Sequence, residues 1–325
     1  MMQVKTIKFK QYMITFLCII TLNFFIPRLM PGDPFTFLSA EEGQVNTIFS
    51  YEEIERYKAY YGLDQPLSRQ YISYMRNMLK GDLGYSIFYK EKVLTIIMNR
   101  ILWTLSLVMV AIFLSSLIGI ILGSLSAYLK NSFLDKSLYF FFVTLSEIPS
   151  FLIALLLLFC FSAHFKLFPL SGGISHFTEF STVREKAYDM IHHAVLPILS
   201  LTVTRTGVFY LLTRNSMIYI LEKDYIRTAK GKGLKKARIL FLHGLKNAIP
   251  PVITRIFLSL GSILGGAVLV ENVFKYPGIG SLMRQAVFFR DYTLIQGIFL
   301  VMTVLVLTMN YIAEVVYKKL DPRVN

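Results

Sequence analysis

Six long apolar runs constrain this chain more than any other feature. They fall at 12–26, 101–129, 138–165, 194–213, 252–270 and 293–316. All but the first are near or above about 20 residues, the length a helix needs to cross about 30 Å of hydrocarbon. Backbone N–H and C=O groups in lipid must bond within their own segment, so these runs must be helices. Of the 325 residues, 54% are hydrophobic and 17% are charged, below the soluble-domain norm of about 25% charged. A soluble core can use some apolar excess, but not as unbroken runs. The expected fold class is an all-α membrane protein with six transmembrane helices.

The first run could instead belong to a signal peptide, since Lys5, Lys8 and Lys10 precede a short apolar core. The small-x-small cleavage pattern is missing, however. Leu38 sits two residues before Ala40, and Pro31 and Pro34 interrupt the approach. An uncleaved helix is the expectation. Charge then sets the orientation. Three lysines and no acid precede Tyr12, which puts the N-terminus in the cytoplasm. Six crossings return the C-terminus there, with Lys318, Lys319 and Arg323. The loop after the fourth run falls on the same side. It holds Arg214, Lys223, Arg227, Lys230, Lys232, Lys235, Lys236, Arg238 and Lys246 against Glu222 and Asp224. The expected organisation is residues 1–30 as cytoplasmic N-terminus and first helix, 31–100 as a small extracytoplasmic insert, and 101–325 as a five-helix core carrying a cytoplasmic loop at 214–251. Turn signals at Gly62 and Gly81-Asp82 and a short helix over 51–60 suit the insert.

A formal charge of +14 would suggest nucleic acid in a soluble protein. In a membrane protein it reflects basic cytoplasmic loops, and no nucleic-acid partner is expected. Cys18 and Cys160 lie inside apolar runs without nearby ligands, which reads as packing. His192 and His193 point about 100° apart on a helix and make a poor chelate, so no metal site is expected. Leu170-Ser171-Gly172-Gly173 imitates the start of an ATPase signature, but no G-x-x-x-x-G-K-[ST] phosphate loop exists in the chain, so it should not bind ATP. Glu147, Arg205 and Arg255 lie in or near membrane runs, where charge is expensive. Arg255 reads as a snorkelling end residue. Glu147 and Arg205 either line a path or bond to each other. Gly261 and Gly265 form a small-x-x-x-small pair suited to close helix packing.

The loop is the most informative stretch. Asp224 is the expected N-cap of a short helix. Ala229 is small enough to admit a partner, and Gly233 suits a left-handed helix end. A second helix over about 235–248 places Ile239, Leu242 and Leu245 near one another. Pro250 and Pro251 stop it before the next crossing. The product is a basic helix–turn–helix elbow. On composition alone the favoured reading is a charged loop that only sets topology.

Here the chain resembles the permease subunits of binding-protein-dependent ABC importers. Arg227-Thr228-Ala229 and Gly233, followed by a stretch ending at Pro251, are similar to the family's EAA loop. Asp224-Tyr225-x-Arg227-Thr228-Ala229-x-x-Lys232-Gly233-Leu234 resembles the peptide and nickel branch. Pro31-Gly32-Asp33-Pro34, Tyr61 to Pro66, Gly81 to Ser86 and Ile148-Pro149-Ser150 extend the likeness. So do His193 to Pro197, Gly265 to Glu271, Tyr276 to Gly280, Arg290-Asp291-Tyr292 and Leu320 to Arg323. Together they cover essentially the whole chain in order. Gly244 and Pro250 depart from the family's usual Ala and Leu. Gly244 should loosen the second loop helix by up to about 1 kcal/mol.

The resemblance implies a type I importer fold with a small extracytoplasmic insert after the first helix, in a bacterial inner membrane. It implies a second homologous permease, two ABC ATPases that use the ATP, an extracytoplasmic substrate-binding lipoprotein and surrounding membrane lipid as partners, with no cofactor on this chain. Asp224, Tyr225, Arg227, Thr228, Ala229, Gly233, Leu234, Asn247 and Pro251 would form the coupling loop to the ATPase. Glu147 and Arg205 are the candidate path-lining residues. The expected cargo is peptide, with nickel or a metal chelate as the alternative. An ATP-independent channel or secondary carrier would have no need of the elbow. An intramembrane enzyme would need a nucleophile and base at membrane depth, and none is visible.

Overall fold

The computed structural model describes residues 2–29, 51–60, 62–175 and 178–320. The motif at Pro31 to Pro34, the reading at Leu38 and Ala40, Tyr61 and the stretch at Asp321 to Arg323 lie outside them. Among the described residues the regular structure is helical, apart from one antiparallel bridge between Tyr85 and Lys92. The helices are α1 (Met2–Arg28), α2 (Tyr51–Tyr60), α3 (Leu67–Leu79), α4 (Val93–Tyr128), α5 (Phe133–Glu147), α6 (Ser150–Leu157) and α7 (Val183–Leu221). They continue with α8 (Asp224–Gly231), α9 (236–248), α10 (Pro250–Phe274), α11 (Ile279–Phe288) and α12 (Tyr292–Leu320). Four spans are long and apolar enough to cross a membrane: Lys10–Arg28, α4, α7 and Tyr292–Lys319. Counting each of two bent pairs as one crossing gives six.

The first bent pair corrects the sequence reading of 138–165 as one helix. α5 ends at Glu147 and α6 starts at Ser150, at 98° to it. Pro149 has no N–H to continue the helix, and its ring forces Ile148 into an extended conformation, φ −82° and ψ 123°. α10 bends less, by 56° between Ser262 and Gly265. Of the glycine pair in α10, Gly261 packs as read: a side chain there would meet Val306 at 3.4 Å. Gly265 does not, because nothing lies within 4 Å of the place its side chain would occupy.

The chain forms two compact units. The first comprises residues 1–102 and 281–305. In it α3 docks on α1. Asn23 Nδ2 donates to the Gln296 carbonyl at 2.9 Å and to Tyr74 Oη at 3.2 Å, and Arg28 Nε donates to Gln70 at 3.0 Å. Buried Asp291 ties two of the resembling motifs together. It accepts from Ser86 Oγ, from the Phe88 amide at 3.0 Å and from the Leu294 amide at 3.0 Å. Gly62 and Gly81 sit at φ +66° and +75°, as their turns demand.

The second unit comprises residues 103–280 and 306–325. Its axis is α7. Gly119 and Gly123 of α4 lie against this helix so closely that a side chain at Gly119 would come within 2.6 Å of Phe209 Cβ, and one at Gly123 within 2.7 Å of the Tyr210 carbonyl. This small-x-x-x-small contact was readable in the sequence and was missed. Gly207 of α7 receives Phe142 and Ser146 of α5 in the same way. Fully buried Glu271 closes the far end of α10. Its carboxylate accepts from Thr104 Oγ1 and from the Gly280 amide, both at 2.6 Å, while Thr104 Oγ1 accepts from the Ile279 amide at 2.8 Å. Gly278 must be glycine, because any side chain there would overlap that carboxylate.

Candidate functional site

The elbow begins where α7 ends. Lys223 is extended, φ −71° and ψ 149°, and is the residue that precedes α8. Asp224 is therefore the first helical residue and not the cap. It still supports the first turn, since its carbonyl accepts from Thr228 Oγ1 at 3.1 Å and its carboxylate lies 3.5 Å from Arg227. A negative charge there also favours the helix dipole. α8 ends as the sequence demands. Gly233 takes φ +71°, its amide donates to the Lys230 carbonyl at 3.0 Å, and the Leu234 amide donates to the Ala229 carbonyl at 3.4 Å. These two bonds form a Schellman motif, and Leu234 folds back on the helix to complete it.

The elbow has its own small core. Ile226, Ala229 and Ile239 are buried against one another, with Leu221 and Leu234 packed on them. Ala229 is thus small because α8 and α9 close over it, and it offers no surface to a partner. α9 departs from the expected face of Ile239, Leu242 and Leu245. It is α-helical at Lys236–Arg238 and Lys246–Ala248 but π-helical over Ile239–Leu245. The i→i+5 spacing brings Gly244 beneath Ile239, and both are buried while Leu242 is half exposed. Gly244 also does more than loosen the helix. A side chain there would come within 3.1 Å of Met217, so its absence lets α9 lie against α7. Pro250 opens α10 directly after Ile249, so the two prolines bend the chain with hardly a gap.

Of the remaining elbow residues singled out, Asp224, Tyr225, Arg227, Thr228, Gly233, Asn247 and Pro251 are exposed. Asn247 donates to the His243 carbonyl at 2.8 Å. The exposed face is therefore α8's outer side, with Tyr225 and Arg227 on it. Between the elbow and the ends of α4 and α7 lies a groove of about 510 Å³, apolar at Ile218, Leu221 and Leu240 and basic at Lys130, Lys230 and Lys236. Lys130 Nζ sits 2.7 Å from Glu222 and holds that carboxyl below its usual range.

Two groups of charged residues bear on α7, and only one was foreseen. The missed one joins α5 to α7. Arg214 forks onto Asp135 at 2.7 and 2.9 Å, and Asp135 is 2% exposed. Ser126 Oγ donates to the same carboxylate, Tyr210 Oη lies 2.7 Å from Ser126, and the Asn131 amide adds a bond at 3.0 Å. The Ser132 hydroxyl caps α5 by accepting from the Asp135 amide at 3.1 Å. The foreseen one does not form as a pair. Glu147 is exposed at the end of α5, Arg205 is half-buried on α7, and no ion pair joins them, which leaves the path-lining alternative. His192 and His193 serve local structure: His192 Nε2 lies 3.0 Å from the Leu167 carbonyl and His193 Nδ1 2.9 Å from that of Asp189.

This architecture has relatives. Residues 119–325 match the profile of the family described as binding-protein-dependent transport system inner membrane component. The chain is 37% identical, over 93% of its own length and 93% of the relative's, to the oligopeptide transport system permease protein AppB of Bacillus subtilis (strain 168). It is 32% identical to the dipeptide transport system permease protein DppB of Escherichia coli (strain K12), over 95% of both chains. Among solved structures, a chain of the methionine ABC transporter MetNI in an inward-facing conformation aligns with a TM-score of 0.56 at 15% identity, over 70% of this chain and 97% of that one. At that identity the alignment speaks for the fold alone, which is that of an ABC importer permease. By its profile match and by the length over which it follows these permeases, the chain belongs to the family of inner-membrane components of binding-protein-dependent transport systems.

Proposed function

We propose that this permease carries peptides across a bacterial inner membrane, with both termini in the cytoplasm, and that α8 couples it to the ATPases that drive transport. The observation that carries the coupling role is the build of the elbow. A helix of eight residues is held rigid by its Schellman end and its own core, yet turns Tyr225 and Arg227 outward. A loop that merely set topology would need its charge but none of this structure. The peptide cargo is supported by the printed functions of the full-length relatives. The eight lysines and arginines between α7 and α10 support the cytoplasmic placement of the elbow.

In this reading two ATPase subunits grip α8 of this chain and its counterpart on a second permease, and a binding lipoprotein delivers peptide from outside. ATP is spent by the partners. Moving the membrane helices from 1:99 to 99:1 in favour of one state takes about 5.5 kcal/mol of differential binding. Only a stiff elbow transmits such a bias.

Co-purification in mild detergent tests the proposal. Wild type is expected to bring down an ATPase and a second permease. Tyr225→Glu, on the exposed face of α8, is expected to lose the ATPase while keeping the second permease. A wild type that captures no ATPase would overturn the coupling role.

A further inference from the structure

Arginine at membrane depth needs an anion or water, and Arg205 has neither an acid nor a hydrogen-bonding partner among the described residues. It sits more than four helical turns from either end of α7. It is half-buried there. A guanidinium held at that depth without an internal counter-charge is available to one that arrives. Glycine at 266 leaves Arg205 Nη2 without a covering side chain from that position of α10. A side chain beginning at Gly266 would come within 3.8 Å of Arg205 Nη2 and 3.4 Å of Ser150 Oγ, and beside it Gly265 has nothing within 4 Å. Ser150 opens α6 at the break behind Pro149, so its hydroxyl adds a donor on the same side. The side chains of α10 that would fill this space are absent at both positions.

We infer that Arg205, with Ser150, forms a transient binding point for the carboxylate of the passing substrate, in the first place the C-terminal carboxylate of a peptide. A planar guanidinium matches a carboxylate in a fork, which lysine does not. Each peptide with a free C-terminus carries this group at neutral pH whatever its side chains, so one such point serves peptides of many sequences. A lipid phosphate is a poorer match, because headgroups lie at the membrane surface and Arg205 lies well below it. The inference rests on the peptide reading above.

The test uses the complete importer in proteoliposomes: both permeases, the ATPases and the binding protein. Uptake of one labelled tripeptide is compared with uptake of its C-terminal amide. The binding protein is the same throughout, so its own preference cancels between variants. Arg205→Gln is expected to cut uptake of the free acid about tenfold, the scale of one lost charge-assisted hydrogen bond, and that of the amide much less. Arg205→Lys and Ser150→Ala should each lower the acid-to-amide ratio by less. An unchanged ratio in all three variants overturns the inference and leaves the peptide reading standing. Equal loss of acid and amide, or failure of Arg205→Gln to assemble while Arg205→Lys assembles with an unchanged ratio, identifies a structural arginine and also overturns it. A wild type that imports neither tripeptide overturns the peptide reading, and the inference with it.

Discussion

Arg214 and Arg205 lie on the same face-crossing helix, less than three turns apart, and the chain treats them in opposite ways. Around Arg214 each charge is met: a forked bond to Asp135, a hydroxyl from Ser126, an amide from Asn131. Around Arg205 there is no acid among the described residues, and the position of α10 that faces it is a glycine, Gly266. A buried pair is costly to break because one partner's loss strands the other's charge. An unmet charge costs stability while it waits, so its retention points to something outside the folded chain. In the proposed reading structure and transport occupy neighbouring turns of one helix, and the completeness of the bonding separates them.

The largest effect expected from that contrast is at Asp135. Asp135→Ala strands the Arg214 guanidinium and should destabilise the permease by about 3–5 kcal/mol, read as a lowered unfolding midpoint in detergent. Replacing both partners by apolar residues of similar volume, as in Asp135→Leu with Arg214→Met, should recover most of the loss. If the double variant is as unstable as the single one, the pair does more than balance charge, and the contrast with Arg205 weakens.

A smaller loss is expected at Glu271, which is also buried and accepts from the Thr104 hydroxyl and the Gly280 amide. Glu271→Ala leaves Thr104 and the Gly280 amide unpaired, at about 1–3 kcal/mol in the same measurement. Tyr276, whose phenol burial pushes up to about 12, packs against Trp103 nearby, so tryptophan fluorescence reports on the same site. A smaller loss again, about 1 kcal/mol, is expected for Ser132→Ala, which removes one cap at α5 and no charge.

Legibility in the sequence followed the range of the interaction. The elbow's end at Gly233 and its basic surface were readable because a left-handed glycine and a run of lysines are local signals. The break at Pro149 was in plain view but was averaged away in a 28-residue apolar window, where one proline hardly alters the mean. The π-helical turn of α9 had no sequence signal apart from Gly244. Asp135 and Arg214 are 79 positions apart, so no spacing rule connects them. The resemblance supplied the order of the motifs but not their joints: that Asp291 bonds Ser86, or that Glu271 holds Gly280, appears only once the chain is folded.

The smallest expected effect is the most telling. Arg205→Gln removes a charge at membrane depth that has no acid mate among the described residues. No ion pair or hydrogen bond of the described residues is lost, and a buried charge disappears. The unfolding midpoint should therefore stay level or rise slightly, in the same detergent conditions in which Asp135→Ala falls. A fall worth more than about 1 kcal/mol, the scale of a lost structural hydrogen bond, would place Arg205 beside Arg214 as part of the scaffold. A level midpoint combined with lost preference for the free acid would separate the two arginines completely: one whose counter-charge is built into the chain, and one whose counter-charge is the cargo.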